Sequence, residues 1–335
     1  MFAGFSGSRS LVFAISALVL MSMPNVASAD DVLNLEALSN KSATGDELIS
    51  AFFALASTTG SSSGVVGTTA EQDVAARALA KPYLDSAFQL QRSSGERYVA
   101  DTYQPSDVDD VVFGDVRETR PTNDVMVVRY SVRANQSLPD SKLVMSPDKA
   151  PRLTVFHWSD TDSLWKVLSH ANFNTPVAAI CDQEPIIDNN LASPAGAEDQ
   201  ALGEALMTKF YDLLLQGDAA PLLHPLFQYQ NANGVGYTTL AERKRTTKLP
   251  QTTFERAVVT RNGDLLVVSD YNTAKERVLM GQYALRGGKS SHLATFQRGN
   301  EGTWRMISLA AFMPAKSLPE GAACVSSGKL EDAPL

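Results

Sequence analysis

His170 is the titratable side chain whose setting most invites chemistry. It stands in Trp165-Lys-Val-Leu-Ser-His-Ala-Asn-Phe173, a segment that reads as a strand, and imidazole is the usual general base near neutral pH. The alternative is a histidine hydrogen-bonded at a sheet surface or pocket rim. His157 shares its facing on the preceding strand, but strand pairing sets His157 beside Lys166. A cation there disfavours a metal, and no carboxylate or thiol is near, so no metal site and no cofactor are expected. Gln91, Tyr98, Gln230 and Tyr237 place amides and phenols where they could orient a ligand in an apolar pocket; their structural alternative is to brace the neighbouring backbone and turn. Arg129, on an apolar strand, could grip a carboxylate with both arms of its fork, or face outward to an acidic partner. Asp107 to Asp115 lacks the ligand spacing of a calcium loop and reads as a solvated loop. No Cys–His arrangement or phosphate-cradling glycine loop is present; Arg286-Gly-Gly-Lys289 reads as a turn.

The elements that carry these residues occur twice. Ala80 to Tyr98 aligns with Ala219 to Tyr237 at a shift of 139 residues, with eight of 19 positions identical, Phe88/Phe227, Gln89/Gln228 and Gln91/Gln230 among them. The same shift lays Trp165–Phe173 on Trp304–Phe312. One register joining two separated blocks argues for duplication. A helical pattern precedes each block, around Asp46–Ser57 and Leu206–Gln216, and the first copy carries an insertion near 58–78 that opens with a Ser/Thr/Gly-rich loop. β-branched runs follow at Val125–Val132 and Leu265–Ser269, then hairpins over Leu153–Trp158 with Trp165–Phe173 and over Leu293–Gln297 with Trp304–Phe312. Alternation sets Trp165, Val167, Ser169, Ala171 and Phe173 on one face, and Lys166, Leu168, His170 and Asn172 on the other. Helices first and a strand meander after them make each unit α+β.

Phe210-Tyr211 with a trailing Gly217-Asp218, a segment ending in Pro-Leu-Phe, a Gly-x-Gly-Tyr turn and a meander ending in Trp-(Lys/Arg)-hydrophobic resemble the nuclear-transport-factor-2-like superfamily, in particular its polyketide-cyclase-like bacterial branch. Pro151-Arg-Leu-Thr-Val-Phe156 and His170-Ala-Asn-Phe173 look like the last two strands of such exported proteins. The resemblance covers most of 46–176 and 198–314. It implies two tandem cone-shaped α+β domains, each with N-terminal helices packed on a curved antiparallel sheet around a pocket. The superfamily holds isomerases, dehydratases, hydrolases and non-catalytic binding domains, and no catalytic pair of its enzymes aligns with this chain, so the fold alone does not fix function.

The chain of 335 residues carries a net charge of −8, with 37 acidic and 29 basic residues. That balance argues against a nucleic-acid partner. Arg9, the apolar run Leu11–Met21 and Ala27-Ser28-Ala29 read as a signal peptide over 1–29. The expected product is periplasmic or extracellular, without a membrane anchor after cleavage. Cys181 and Cys324 each follow the last strand of a copy, so one bridge between them is expected if the copies pack together as an intramolecular pseudo-dimer, with two unpaired thiols as the alternative. The expected organisation is a first domain over 30–182, a linker over 183–197, a second domain over 198–316 and a tail over 317–335. The expected function is a non-catalytic module that binds a hydrophobic small molecule or a protein. Its rival is an isomerase, dehydratase or hydrolase centred on His170 in the first domain. His170 has Leu309 as its counterpart in the second copy, so such chemistry would be confined to the first.

Overall fold

Thr44 and Glu47 cap each other to open the first helix, α1 (Gly45–Thr59): Thr44 N–H donates to Glu47 Oε2 at 2.7 Å, and Glu47 N–H to Thr44 Oγ1 at 3.3 Å. Leu48, Ile49, Phe52, Phe53 and Leu55 make its buried stripe. The computed structural model describes residues 35–59, 74, 77–103, 105, 107–138, 143–180, 191–232, 234–237, 252–274, 278–280, 283–285, 288–312 and 324–325. The expected signal peptide, most of the 58–78 insertion, Cys181 and residues 183–190 lie outside them.

After α1 come β1 (Leu84–Arg92), β2 (Arg97–Val99), β3 (Asp107–Thr122), β4 (Val125–Leu138), β5 (Leu143–Met145), β6 (Ala150–Ser159), β7 (Leu164–Asn172) and β8 (Pro176–Ile180). The second helix, α2 (Ala197–Gln216), ends at Gly217, whose φ of 90° lets its N–H reach back to the carbonyls of Leu213 and Leu214. Then follow β9 (Leu223–Asn231), β10 (Gly236–Tyr237), β11 (Thr252–Asn262), β12 (Leu265–Ala274), β13 (Val278–Met280), β14 (Tyr283–Leu285), β15 (Gly288–Arg298), β16 (Trp304–Phe312) and β17 (Cys324–Val325). The protein is α+β and mostly strand.

The first sheet runs β17-β8-β5-β4-β6-β7-β1-β2, with β3 also on β4; the second runs β10-β9-β16-β15-β12-β11. The order β3-β4-β6-β7-β1-β2 therefore recurs as β11-β12-β15-β16-β9-β10. Each of these six-strand runs contains one parallel pair, Gln89↔Ser169 and Leu90↔His170 in the first and Gln228↔Ser308 and Tyr229↔Leu309 in the second. Each sheet lays one face on its helix: α1 packs with Leu90, Met126, Val128, Tyr130, Phe156 and Trp165, and α2 with Phe227, Leu266, Val268, Phe296 and Met306.

The opposite faces pack on each other. Val127, Leu153, Val155, Ala171 and Phe173 from the first sheet form one core with Val267, Leu293, Ile307, Ala310 and Phe312 from the second. Two buried glutamines lock it. Gln89 Nε2 donates to Val258 O, Thr260 Oγ1 and Val267 O at 2.9–3.1 Å. Gln228 Nε2 makes the reciprocal contacts to Arg117 O, Thr119 Oγ1 and Val127 O at 2.6–3.3 Å. Asp85 adds a tie, accepting from Asn262 Nδ2 across the boundary while holding His157 Nδ1 at 2.7 Å.

Two features depart from simple alternation. A register shift opposite Val155/Phe156 inserts Leu168 as a bulge in β7. Trp165 and Val167 consequently join the core under α1, whereas Ala171 and Phe173 lie on the inter-sheet face, so Trp165 and Phe173 do not share a face as expected. The acidic stretch 107–115 is strand rather than solvated loop: it belongs to β3, which carries positive φ at Asp110 (52°) and Asp115 (56°) where it bulges. Cys324 pairs with Ala179, and no disulfide is present among the described residues.

Candidate functional site

The concave face of the first sheet, under α1, carries a buried polar line. Strand register sets Tyr130 opposite Arg152, Thr154 opposite His170, and Arg152 opposite Asn172. Tyr130 OH lies 3.0 Å from Thr154 Oγ1, which lies 2.8 Å from His170 Nδ1. The Phe52 ring closes over the imidazole edge-on at 5.2 Å between centroids. Burial, and then the nearby Arg152 and Arg92 guanidiniums, hold the His170 pKa well below its usual value. The ring is therefore neutral at physiological pH, fit to give or accept a hydrogen bond. Arg152 is itself pushed down to about 10, chiefly by burial, and burial raises the Tyr130 phenol.

This arrangement predicts a pH effect on stability. Below pH 6.5 the unfolded chain protonates His170 while the folded chain does not, so stability falls with pH by up to about 1.4 kcal/mol per unit. The penalty is absent above pH 6.5 and grows as pH drops towards the depressed folded value. His170→Gln removes that contribution. Urea unfolding at pH 7.5 and pH 5.5 is expected to show a smaller loss on acidification in the variant; equal losses would reject a neutral, buried His170.

The six sequence-nominated ligand residues separate. His170 and Tyr98 lie on the first concave face, where Arg92 stacks over the Tyr98 ring at 4.8 Å. Tyr237 lies by the second helix's core, stacked on Tyr229 at 4.9 Å. Gln91 and Gln230 turn to their own hairpins: Gln91 Nε2 donates to Arg92 O at 3.1 Å, and Gln230 Nε2 to Asn231 O at 2.9 Å. Arg129 pairs with Leu153 and so faces the second sheet. Its side chain runs against Gly236, where a Cβ would come within 2.8 Å of Arg129 Cδ; only glycine leaves that space.

Sequence reading missed three residues on the second concave face. Asp270 is fully buried and pairs with His292 across β12 and β15. Tyr211 OH, from α2, donates to Asp270 Oδ2 at 2.9 Å and lies 2.8 Å from His292 Nδ1. The available signal was an acid following the apolar run Leu265–Ser269 and an aromatic pair, Phe210-Tyr211, on the helix. Neither says that strand and helix bring them together. Among the described residues no group of three or more His, Cys, Asp or Glu side chains is placed to hold a metal. A cavity of about 280 Å³ opens beside the first sheet, with Pro151, Phe173, Asn174 and Ala232 in its wall.

No protein-family model matches the chain, and no curated protein matches it. Solved structures that resemble it include a nuclear-transport-factor-2-like protein from Cytophaga hutchinsonii, 15% identical, TM-score 0.29, covering 36% of this chain and 99% of that one. A nuclear-transport-factor-2-like superfamily protein from Salmonella enterica is 16% identical, TM-score 0.28, covering 36% and 92%. The association domain of C. elegans CaMKII is 13% identical, TM-score 0.27, covering 35% and 99%. Each of these spans about a third of this chain, and nuclear-transport-factor-2-like proteins are among its structural neighbours.

Proposed function

We propose that this chain is an exported, duplicated binding protein that holds a small hydrophobic molecule on the concave face of its first sheet without transforming it. The observation that carries this reading is the buried line Tyr130–Thr154–His170 beneath Phe52. It offers a few polar anchors in an apolar, aromatic setting, which is what a ligand site needs. A histidine kept neutral and boxed by Thr154 and Phe52 is poorly suited to a cycle of protonation and release. Duplication into units over 30–182 and 198–316, packed back to back as a pseudo-dimer, is supported by the recurring strand order and the reciprocal glutamines. The export signal ending at Ala29 and a Cys181–Cys324 bridge belong to the same proposal; Cys324 pairs with Ala179, two positions before Cys181 in sequence.

Native mass spectrometry of the protein recovered from its exported compartment tests the reading. A retained small molecule is expected, and His170→Ala is expected to weaken its binding by about 0.5–1.5 kcal/mol, the value of a neutral hydrogen bond. Conversion of that molecule into a product, lost in His170→Ala, would overturn the non-catalytic reading. A second reading is favoured by one observation, the Tyr211–Asp270–His292 cluster, which joins a carboxylate, a phenol and an imidazole within hydrogen-bonding reach. Turnover that survives His170→Ala but not Asp270→Asn would establish proton-transfer chemistry in the second sheet instead.

A further inference from the structure

Arg152 carries a buried charge that no carboxylate among the described residues pairs with. Its side chain is fully buried, on the concave face because its neighbour Leu153 belongs to the inter-sheet core. Nη1 donates to Pro151 O at 2.9 Å, and Nη2 reaches Gln136 Oε1 only at 3.4 Å. Nε has no hydrogen-bond partner. Its electrostatic neighbours are Tyr130, which favours the charge, and the buried cation Arg92, which opposes it.

The one side-chain acceptor that Arg152 reaches is shared three ways. Gln136 Oε1 is shared by Arg152 Nη2, Asn172 Nδ2 and Asn174 Nδ2, at 3.2–3.4 Å. A buried cation is costly unless an anion or strong acceptors compensate it. Here there is an unfilled demand for negative charge, opposite Tyr130 and on the face that also carries Phe52, Leu90 and Tyr98. Pro151, whose carbonyl accepts from Arg152, and Asn174 also stand in the wall of the cavity of about 280 Å³, which Arg152 itself does not line.

We propose that the first concave face takes a small organic monoanion, a carboxylate on an apolar or aromatic body, with Arg152 as the residue that holds the carboxylate. This rests on the binding reading above and names its ligand class. One guanidinium balances one carboxylate, its fork matches the two oxygens, and the aromatic and aliphatic surroundings suit an apolar body rather than a hydrated inorganic ion. Arg152 is thus an affinity and specificity residue. The neutral His170–Thr154–Tyr130 line beside it offers polar contacts without adding charge.

The test uses the mature chain, benzoate as probe, and benzamide, acetate and inorganic phosphate as comparisons, read by thermal unfolding and calorimetry. Benzoate is expected to raise the melting temperature saturably, with acetate weaker and benzamide without effect. Arg152→Met is expected to weaken benzoate binding at least tenfold, while melting no lower than wild type in anion-free buffer, because an uncompensated buried charge has been replaced by an apolar side chain of similar length. Should Arg152→Met fail to fold, Arg152→Lys, which keeps charge but not the fork, is expected to weaken benzoate at least fivefold. Equal stabilisation by benzamide, unchanged benzoate affinity in the variants, or no response to any probe would overturn the proposal. Stabilisation by phosphate in preference to benzoate would replace it with an inorganic-anion site. A neutral molecule retained in native mass spectrometry, without a benzoate response, would leave the binding reading standing and the carboxylate inference refuted.

Discussion

Replacing Phe173 with alanine is expected to destabilise the protein by about 3–5 kcal/mol, the cost of deleting a buried phenyl ring from a close-packed core. Phe173 is 1% exposed and lies stacked on Phe312, with ring centroids 4.5 Å apart and planes inclined by 23°. The two residues leave the ends of β7 and β16, so the stack joins the sheets at equivalent points. Its loss opens a cavity that neither sheet can fill alone, because the surrounding positions, Ala171 and Ala310, are small. Urea unfolding followed by tryptophan fluorescence checks this. Trp158 and Trp165 report on the first sheet and Trp304 on the second. A lower midpoint is expected, with the inter-sheet core weakened for both. A cost under about 1 kcal/mol would mean that the face-to-face packing does not hold the sheets together.

Gln228→Leu is the second substitution with a large expected effect. Leucine fills nearly the same volume but donates nothing. Val127 O, which accepts from Gln228 Nε2 at 2.6 Å, would then lose this donor at a fully buried position, and Thr119 Oγ1 and Arg117 O would lose theirs. Each buried polar group stranded in this way costs about 1–3 kcal/mol. Gln89→Leu is expected to show a loss of similar size, since Gln89 makes matching contacts to Val258, Thr260 and Val267. Stability measured on both variants decides the matter: a neutral Gln228→Leu would show that the amide contributes shape and not hydrogen bonding at this boundary.

The sequence by itself determined the local elements. The helix start at Thr44/Glu47 and the stop at Gly217 are local chemistry, a capping box and a left-handed C-cap. The 139-residue register between Gln89 and Gln228, and between Trp165 and Trp304, reappears in strand pairing because strand register follows the apolar pattern and the turns between strands. His170 was legible as a titratable group on a strand. What only the tertiary structure decided was which surface each side chain meets. The Leu168 bulge shifts the alternation, so Trp165 and Phe173 part company, and no periodicity count reveals an inserted residue. Gln91, Gln230 and Arg129 look like ligand anchors until their strands are placed, when two turn to their own hairpins and one faces the other sheet. Arg152 and Asp270 look like ordinary surface charges in the sequence. They are buried because strands and helices distant in the chain close over them, and burial turns a solvated charge into one that demands a partner.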